Sequence, residues 1–347
     1  MKSRYLASVL KHFAIWTVAF TYWSLVRVLG FETMPKDLWH VVMINAILGL
    51  VAGILFGSTD YVLKQKLSKN LSFGTVIITG SVSYFLVILS MILVGIIIYT
   101  MFEPYDFHWF YFKDFILSKD MALLLPYYFG IIFFVNFMRQ VSQKFGRGNL
   151  WKMMTGKFHS PKEVDRVFMF LDLKSSTSIA EKLGHIHYSE LIQDCFADLT
   201  IIENYKAEIY QYVGDEAVIT WEIDRGKESS NCLQAFFGFR DAIAEKAEYY
   251  KGKYGLVPEF KAGLNSGKTV MVEVGEIKRE IAYHGDAIIT ASRIQGECNR
   301  FGQDILVSEV LYRWFRHDER FTFSCIGETV LKGKTESVKV FGVEKRL

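Results

Sequence analysis

The sequence predicts two modules: an α-helical four-span transmembrane bundle, followed by an α+β domain with a ferredoxin-like core. The first observation is composition, because a chain of 347 residues that is 51% hydrophobic is more apolar than most soluble proteins. The second is position, because the apolar excess lies in the first part of the chain. The third is order, because the second part reads as short β-rich runs and helices in the order β-α-β-β-α-β.

Four apolar segments are long enough to cross a bilayer, which takes ~20 residues. They are Val9–Leu29, Leu38–Gly57, Gly74–Met101 and Ala122–Val141. The first follows a basic start but lacks a small-residue cleavage site, so we interpret it as an uncleaved span rather than a signal peptide. Basic residues dominate the loop after the second span and the exit from the fourth, which predicts that both termini are cytoplasmic. We therefore expect a multi-pass protein of the plasma (inner) membrane.

Three glycines of the second span, Gly49, Gly53 and Gly57, fall on one helix face. Small residues spaced by four let another helix approach closely. The approaching helix can belong to the same bundle or to a second copy of the chain. The sequence leaves both alternatives open.

We place the transmembrane domain at residues 1–144, a connector at 145–164 and the second domain at 165–347. The connector contains helix-breaking glycines and is too short for a sustained heptad coiled coil. A net charge of +3 gives no reason to expect nucleic acid as a partner. The four cysteines have no C-x-x-C spacing, which argues against a zinc site or a redox dithiol.

The second domain is organised around the stretch Val167–Thr177, which reads VFMFLDLKSST. A β-rich apolar run ends at Asp172, a turn of small hydroxyl residues follows, and then a helix begins. An S-x-x-E capping box at Ser178 and Glu181 predicts the helix start, and Gly184 predicts its end. This arrangement suits a polyphosphate with a metal ion, because free N–H groups at a helix start attract phosphate and a neighbouring carboxylate can hold Mg²⁺.

Two further stretches carry candidate functional residues. The dipeptide Gly214-Asp215 separates two β-rich runs and predicts a hairpin with Asp215 at its tip. The stretch Gly285–Gln295 reads GDAIITASRIQ and predicts a strand exit followed by a helix that carries Arg293. If the hairpin lies beside the first strand, Asp172 and Asp215 can share two metal ions.

Together these three elements resemble the catalytic domain of the class III nucleotidyl cyclases. The matching motifs are F-L-D-L with a following threonine, the G-D hairpin, and a second G-D with its arginine. The resemblance covers roughly Val164 to the C-terminus. It implies that a membrane-bound homodimer converts ATP, in preference to GTP, to a 3′,5′-cyclic nucleotide and pyrophosphate by two-metal catalysis. The preference for ATP rests on analogy with bacterial members that have four or six spans.

The resemblance also implies roles for individual residues. Two divalent cations, Mg²⁺ or Mn²⁺, are expected in a metal site of Asp172, Leu173 and Asp215. Catalytic roles are expected for the two aspartates and for Arg293, which would stabilise charge at the α-phosphate across the dimer interface. Lys332 and Lys334 are equally well explained as solvated turn residues. The expected nucleotide-binding residues are Leu173, Lys174, Ser175, Ser176, Thr177, Gln211, Ala282, Ile289, Lys332 and Lys334.

Three positions depart from the family pattern. Ile289 replaces an asparagine that positions the ribose and the reacting phosphate in the family. Gln211 and Ala282 replace the pair that selects the base. Because a glutamine can both donate and accept hydrogen bonds, the base preference stays open at this position.

Other function classes account for the sequence less well. A catalytically weak or inactive cyclase-like module, binding nucleotide for sensing or scaffolding, is the alternative function, but Asp172, Asp215 and Arg293 are all present. A diguanylate cyclase is disfavoured because the hairpin reads Y-V-G-D-E-A rather than G-G-D-E-F. A transporter or receptor without an enzyme would leave the second half of the chain unexplained.

Overall fold

The computed structural model describes residues 2–31, 38–66, 72–102, 119–145, 153, 155–156, 159–330 and 337–346. The chain divides into two compact units, Met1–Phe145 and Gly146–Leu347, and each is described by itself. Half of the predicted connector at 145–164 lies outside the described residues.

Four long helices make up the described part of the first unit: α1 (Lys2–Phe31), α2 (Leu38–Lys66), α3 (Phe73–Phe102) and α4 (Lys119–Phe145). Three of them contain a segment that is long and apolar enough to cross a membrane: Val42–Asp60, Gly74–Leu93 and Ala122–Ser142. The remaining predicted span lies within α1, a helix of 30 residues. Three candidate spans are thus identified among the described residues, and the fourth stays a prediction.

The glycine stripe of α2 packs against α1. A Cβ atom added at Gly49 would lie 2.0 Å from Thr17 Oγ1, and one added at Gly53 would lie 2.8 Å from the backbone nitrogen of Phe13. These distances are shorter than side chains tolerate, so the glycines allow two backbones of one chain to approach closely. Of the two alternatives for this stripe, the structure shows packing within the chain, and α1 covers the face that a dimer seam would need.

Aromatic side chains fill the interior of the first unit. Trp16 of α1 and Phe56 of α2 are fully buried, and their rings stack with centroids 4.4 Å apart. Tyr84 of α3 and Ile132 of α4 belong to the same buried cluster. All four helices therefore contribute to one core.

The second unit is built on one mixed sheet. Its described strands are β1 (Lys162–Leu173), β2 (Glu208–Val213), β3 (Glu216–Glu222), β4 (Phe260–Val274), β5 (Glu280–His284), β6 (Ile305–Ser308), β7 (Phe321–Val330) and β8 (Ser337–Lys345). The strand order is β2-β3-β1-β4-β6-β8-β7, with β5 paired to β4. The pair β4–β6 is parallel, whereas the other pairs are antiparallel.

Helices connect the strands and cover the sheet. They are α5 (Ser176–Asp198), α6 (Ile223–Lys227), α7 (Asn231–Glu245), α8 (Ala247–Tyr254), α9 (Asp286–Gly296), α10 (Cys298–Phe301) and α11 (Glu309–Phe315). Two 3₁₀ segments, Leu199–Tyr205 and Glu228–Ser230, lie between them. The sequence also predicts a single helix near residues 228–250, but the structure divides it. Left-handed backbone angles at Ser229 and Ser230 separate the 3₁₀ segment from α7, and Lys246, at φ −105° and ψ 18°, separates α7 from α8.

Two predicted boundaries around the central strand are wrong. The helix after β1 begins at Ser176, ahead of the predicted capping box at Ser178. The predicted end of this first helical piece at Gly184 is confirmed, because Gly184 has φ 73° and separates two helical pieces within α5. The sequence also predicts two separate strands near residues 260–264 and 269–274. They form one strand, β4, because Ser266 and Gly267 remain paired with β1. A serine and a glycine weaken a strand signal locally, but a central position in a sheet overrides that weakness.

The side chains of β1 alternate between the two faces of the sheet. Val167, Met169 and Leu171 are fully buried in the main core beneath the helices. Phe168 and Phe170 lie on the opposite face, in a smaller cluster with α9. We call this second face the α9 face, and it carries the candidate site.

Candidate active site

The end of β1 places Asp172 on the α9 face. Asp172 follows Phe168 and Phe170 at intervals of two, so the strand alternation puts all three on one side. Its cross-strand neighbours are Glu216 on β3 and Lys261 on β4. Lys261 Nζ lies 3.3 Å from Asp172 Oδ2, and only 11% of the lysine side chain is exposed. The strand end therefore holds a carboxylate and a largely buried cation side by side.

The β2–β3 hairpin brings Asp215 to the same place. Gly214 occupies the first position of the two-residue turn at φ 62°, a conformation that glycine adopts readily. The Asp215 Oδ2 atom is buried and has no hydrogen-bond partner among the described residues. Because β3 pairs directly with β1, the structure brings Asp172 and Asp215 together, as the hairpin hypothesis required.

Negative charge is concentrated at this end of the sheet. Burial raises the pKa of Asp172, and the charge of Asp215 raises it further. Burial, together with Asp172 and Asp215, raises the pKa of Glu216 to about 7. Burial and then Asp215 also raise the pKa of Tyr188 on α5 to about 12. In all three groups burial is the larger cause of the raised pKa, and the negative charge of neighbouring aspartates is the second. A bound cation would counter both effects.

This donor set fits a divalent cation. A buried carboxylate oxygen without a partner is costly until a cation or a proton satisfies it, and Asp215 Oδ2 is such an atom. Among the residues that the structure describes, no group of three or more His, Cys, Asp or Glu side chains could hold a metal ion by itself. Mg²⁺ is commonly held by one or two carboxylates together with substrate phosphates and water. Asp172 and Asp215 thus suit an open cation site that a phosphate ligand completes.

The first residues after Asp172 differ in what they can offer. The Leu173 side chain is buried in the main core, so only its backbone can reach a ligand. Lys174 donates its backbone N–H to Glu259 O at 2.8 Å, and its ammonium group forms ion pairs with Asp304 and Glu259. Lys174 is therefore engaged by neighbouring residues, which weakens the expectation that it binds nucleotide.

The start of α5 presents unpaired backbone donors. Ser175 adopts a left-handed conformation at φ 54° and turns the chain sharply out of β1. A backbone hydrogen bond of this turn runs from Ile179 N to Ser175 O at 3.0 Å, so the N–H groups of Ser176 and Thr177 precede it and lack partners within the helix. Such donors, together with the helix dipole, attract an anion. Within the expected nucleotide-binding stretch Leu173–Thr177, the backbone N–H groups near Ser175–Thr177 are thus the ones placed to meet an anion.

Helix α9 carries Arg293 on the same face of the sheet. Arg293 lines a shallow pocket of about 310 Å³ with Phe170, Ile288, Ile289 and Ser292. Among the described residues, its guanidinium group has no hydrogen-bond or ion-pair partner. An unpaired guanidinium in an open pocket is available to an anionic ligand.

The position expected to carry an asparagine is open but apolar. Ile289 is 46% exposed and lies one helical turn before Arg293. Its neighbour Thr290 is buried and donates its hydroxyl to Asp286 Oδ2 at 3.2 Å. Thr290 is therefore buried and engaged within the helix, unlike the exposed Ile289.

The two expected base-selecting positions lie beside a tyrosine contact. The rings of Tyr210 and Tyr283 are 5.0 Å apart edge to face, and the Tyr283 backbone N–H donates to the Tyr210 hydroxyl at 3.4 Å. Gln211 is exposed and Ala282 is half-buried. Because strand neighbours face opposite sides, Ala282 lies on the side of β5 away from the Tyr283 ring. In the described part of the chain, the contact between β2 and β5 is thus made by Tyr210 and Tyr283 and not by Gln211 and Ala282.

Sequence reasoning missed two residues that contact Asp172, namely Lys261 and Gln295. Gln295 Nε2 on α9 donates to Asp172 Oδ2 at 2.9 Å. Lys261 left a detectable signal, because it is a charge inside the otherwise apolar run FKAGL. Gln295 left no local signal, since its partner is 123 residues away. Lys332 and Lys334, the remaining expected phosphate ligands, lie outside the described residues.

An open cation site beside a helix N-terminus is typical of enzymes that act on metal-bound polyphosphates. Comparison with known families narrows this class. Residues 160–344 match the family described as the adenylate and guanylate cyclase catalytic domain. The chain belongs to this family of class III nucleotidyl cyclases, and the resemblance stated from its sequence is confirmed.

The chain is also similar to two proteins named adenylate cyclase. Adenylate cyclase 2 of Rhizobium meliloti (strain 1021) is 33% identical over 208 residues, which are 60% of this chain and 57% of that protein. Adenylate cyclase of Anabaena cylindrica is 26% identical over 181 residues, which are 51% of this chain and 36% of that protein. The chain thus spans about half of the first relative and about a third of the second.

Solved structures share the fold. A structure of a bacterial light-regulated adenylyl cyclase matches with a TM-score of 0.54 at 17% identity, over 65% of this chain and 67% of that chain. A second structure described in the same way matches with a TM-score of 0.53. At this level of identity the likeness concerns the fold alone.

Proposed function

We propose that this protein is a membrane-anchored adenylyl cyclase, which converts ATP to 3′,5′-cyclic AMP and pyrophosphate as a homodimer. The observation that carries the proposal is the meeting of Asp172 with Asp215, whose buried Oδ2 lacks a partner among the described residues. Family membership supports the reaction class. The two relatives named adenylate cyclase support ATP over GTP.

Each part of the site would act on a different part of the substrate. Two divalent cations, Mg²⁺ or Mn²⁺, bound by Asp172 and Asp215 would activate the ribose 3′-hydroxyl and neutralise the triphosphate. The N–H groups of Ser175–Thr177 would hold the terminal phosphates at the start of α5. Lys261 lies beside Asp172 and would attract the same phosphates. Arg293 would stabilise the charge that develops at the α-phosphate.

The placement of Arg293 supports a site shared by two protomers. Within one chain, Asp172 contacts Gln295, and Arg293 lies two residues earlier, about 200° around the helix. The pocket that Arg293 lines includes neither Asp172 nor Asp215. In the proposed homodimer, Arg293 of each protomer would complete the site whose aspartates belong to the other.

The membrane anchor and the domain plan are part of the same proposal. Three apolar helices support anchoring in a bilayer, and we extend this to four spans with both termini in the cytoplasm. The order β2-β3-β1-β4, with α5 between β1 and β2, supports a ferredoxin-like core for the catalytic domain. We retain 1–144 and 165–347 as the two domains, with β1 beginning slightly earlier, at Lys162.

One observation favours the alternative, a catalytically weak or inactive nucleotide-binding module. Ile289 is exposed where the family places an amide, and an apolar side chain cannot hydrogen-bond the ribose or the reacting phosphate. This loss affects the rate of the reaction more directly than it affects binding. The expected cation ligands Asp172 and Asp215 are both present, so we favour a slow enzyme over an inactive one.

The test is a product assay on the purified full-length protein in detergent or nanodiscs, with ATP or GTP and either Mg²⁺ or Mn²⁺. We expect cyclic AMP in excess over cyclic GMP, and no product from Asp215→Asn. An excess of cyclic GMP would overturn the choice of ATP. Nucleotide binding without cyclic product from either substrate would establish the inactive module.

A further inference from the structure

Gln295 links α9 to the predicted metal site. This buried side chain donates from Nε2 to Asp172 Oδ2 at 2.9 Å. Lys261 Nζ approaches the same oxygen at 3.3 Å. Among the described residues, Asp172 Oδ1 receives no hydrogen bond. Two donors thus hold one carboxylate oxygen, and the other remains available to a cation.

A close contact between helix and sheet makes this reach possible. A Cβ atom added at Gly263 of β4 would lie 2.1 Å from the backbone nitrogen of Gln295 and 2.7 Å from the carbonyl oxygen of Ala291. Gly263 pairs with Phe170, two residues before Asp172 on β1. Because Gly263 has no side chain, α9 rests directly on the sheet and Gln295 reaches the end of β1.

The same helix carries Arg293. Successive helical residues are about 100° apart, so Arg293 and Gln295 are separated by about 200° around α9. Gln295 is buried against Asp172, whereas Arg293 lines the open pocket. The hydrogen bond to Asp172 therefore fixes the helix that presents the arginine.

We propose that Gln295 is a positioning residue, which orients Asp172 for cation binding and fixes α9 so that Arg293 is correctly placed. The inference rests on the proposed function, because it concerns the same metal site. An outer partner that orients a metal-binding carboxylate changes metal affinity about 10–100-fold when it is removed. Gln295 touches neither substrate nor cation and acts through Asp172 and through the helix.

The test measures Mn²⁺ binding in the absence of nucleotide, by electron paramagnetic resonance of the full-length protein in detergent. Gln295→Met keeps the length and the burial of the side chain but lacks the amide. We expect its dissociation constant for Mn²⁺ to rise about 10–100-fold. Gln295→Asn keeps the amide on a shorter stem and should show a similar rise, which gives a second variant if Gln295→Met folds poorly.

Thr290→Val is the matched control. Thr290 is a buried polar residue of the same helix, and its hydroxyl bonds Asp286 and not Asp172. We expect this variant to lose some thermal stability and to bind Mn²⁺ with the parent affinity. Asp172→Ala provides the baseline without a site.

Failure of the inference about Gln295 can be distinguished from failure of the proposed function. A folded Gln295→Met protein that binds Mn²⁺ like the parent, with only a lower Tm, would show a purely structural role and overturn the inference. If the parent binds Mn²⁺ through Asp172 but forms no cyclic nucleotide, the proposed function fails and the titration still decides the role of Gln295. In an active parent, we expect Gln295→Met to lower kcat more than it raises KM for ATP, because Arg293 acts in the transition state.

Discussion

The two faces of β1 share one backbone and serve different purposes. On one face, Val167, Met169 and Leu171 are fully buried in the main core. On the other, burial decreases along the strand, from the fully buried Phe168 to the half-buried Asp172 at its end. The first face is closed because it only has to exclude water. The second face is open at the strand end, where the proposed cation site lies.

Two carboxylates of the second unit, Asp172 and Asp318, differ in a similar way. Asp172 on the α9 face has a raised pKa, because burial and the charge of Asp215 disfavour its ionised form. Asp318 contacts Ser230, next to helix α7 of the main core, and the hydrogen bond from Arg320 lowers its pKa to about 2. A lowered pKa means that the ionised carboxylate stabilises the fold, whereas a raised one means that the fold tolerates an unfavourable charge. Unfavourable charge that is retained is a mark of a functional site.

The comparison predicts its largest effects for two positions on opposite faces of β1, Asp172 and Met169. Asp172→Ala should lower kcat by about 10³-fold or more, because a cation ligand is lost. The same change should alter thermal stability little, because the relief of repulsion with Asp215 offsets the loss of the contacts from Gln295 and Lys261. Met169→Ala, on the closed face, should lower the free energy of unfolding by about 2–5 kcal/mol. Activity per folded molecule should hardly change in the second variant.

Product assays and thermal unfolding on the same preparations check both expectations. If Asp172→Ala cycles ATP or GTP at the parent rate, the metal assignment is wrong. If Met169→Ala reduces kcat at temperatures where it is fully folded, the two faces are not functionally separate.

The second prediction tests whether the site on the α9 face is completed by a second copy of the chain. Arg293→Ala and Asp172→Ala should each be nearly inactive alone. For the arginine variant we expect a kcat about 10²–10³-fold below that of the parent. Co-expressed in one membrane in equal amounts, they should recover about a quarter of the parent activity, because half of the dimers are mixed and each has one intact site. Crosslinking of differently tagged chains confirms that mixed dimers form. Mixed dimers without recovery would place each complete site within a single chain.

The sequence predicted some parts of the fold and of the candidate site and missed others. Asp172 and Asp215 were found because each follows a local pattern, a β-rich run ending in a turn. The continuity of β4 through Ser266 and Gly267 was missed, because the cause is tertiary. Ser266 Oγ donates to Arg166 O at 3.0 Å, and a Cβ atom added at Gly267 would lie 3.2 Å from Ala287 Cβ. Gln295 was missed for the same reason, since only the folded sheet brings it to Asp172.

The third prediction concerns the departure from the family pattern on the α9 face. Ile289→Asn should raise kcat about 10-fold, because it restores a hydrogen bond that strengthens in the transition state. KM for ATP should change little. Ile289→Leu, which keeps the position apolar, is the matched control and should retain the parent rate. A parent that is faster than its asparagine variant would show that another residue positions the ribose.

The smallest effect is expected for a charge that serves the fold alone. The folded pKa of Asp318 lies below its ordinary value, so its contribution to stability is fully present above about pH 4 and is lost as the pH falls through about 2. Arg320 is half-exposed, and solvent screening reduces the contribution to the order of 1 kcal/mol. Asp318→Asn should therefore lower the apparent Tm by about 2–4 °C at pH 7. The difference from the parent should shrink below pH 4 and vanish near pH 2, with catalysis per folded molecule unchanged.

Glu319→Gln, at the exposed neighbouring position, is the control and should leave the Tm unchanged at every pH. A Tm difference for Asp318→Asn that is the same at pH 7 and pH 3 would mean that the side chain stabilises the fold through its shape and neutral hydrogen bonds rather than through its charge.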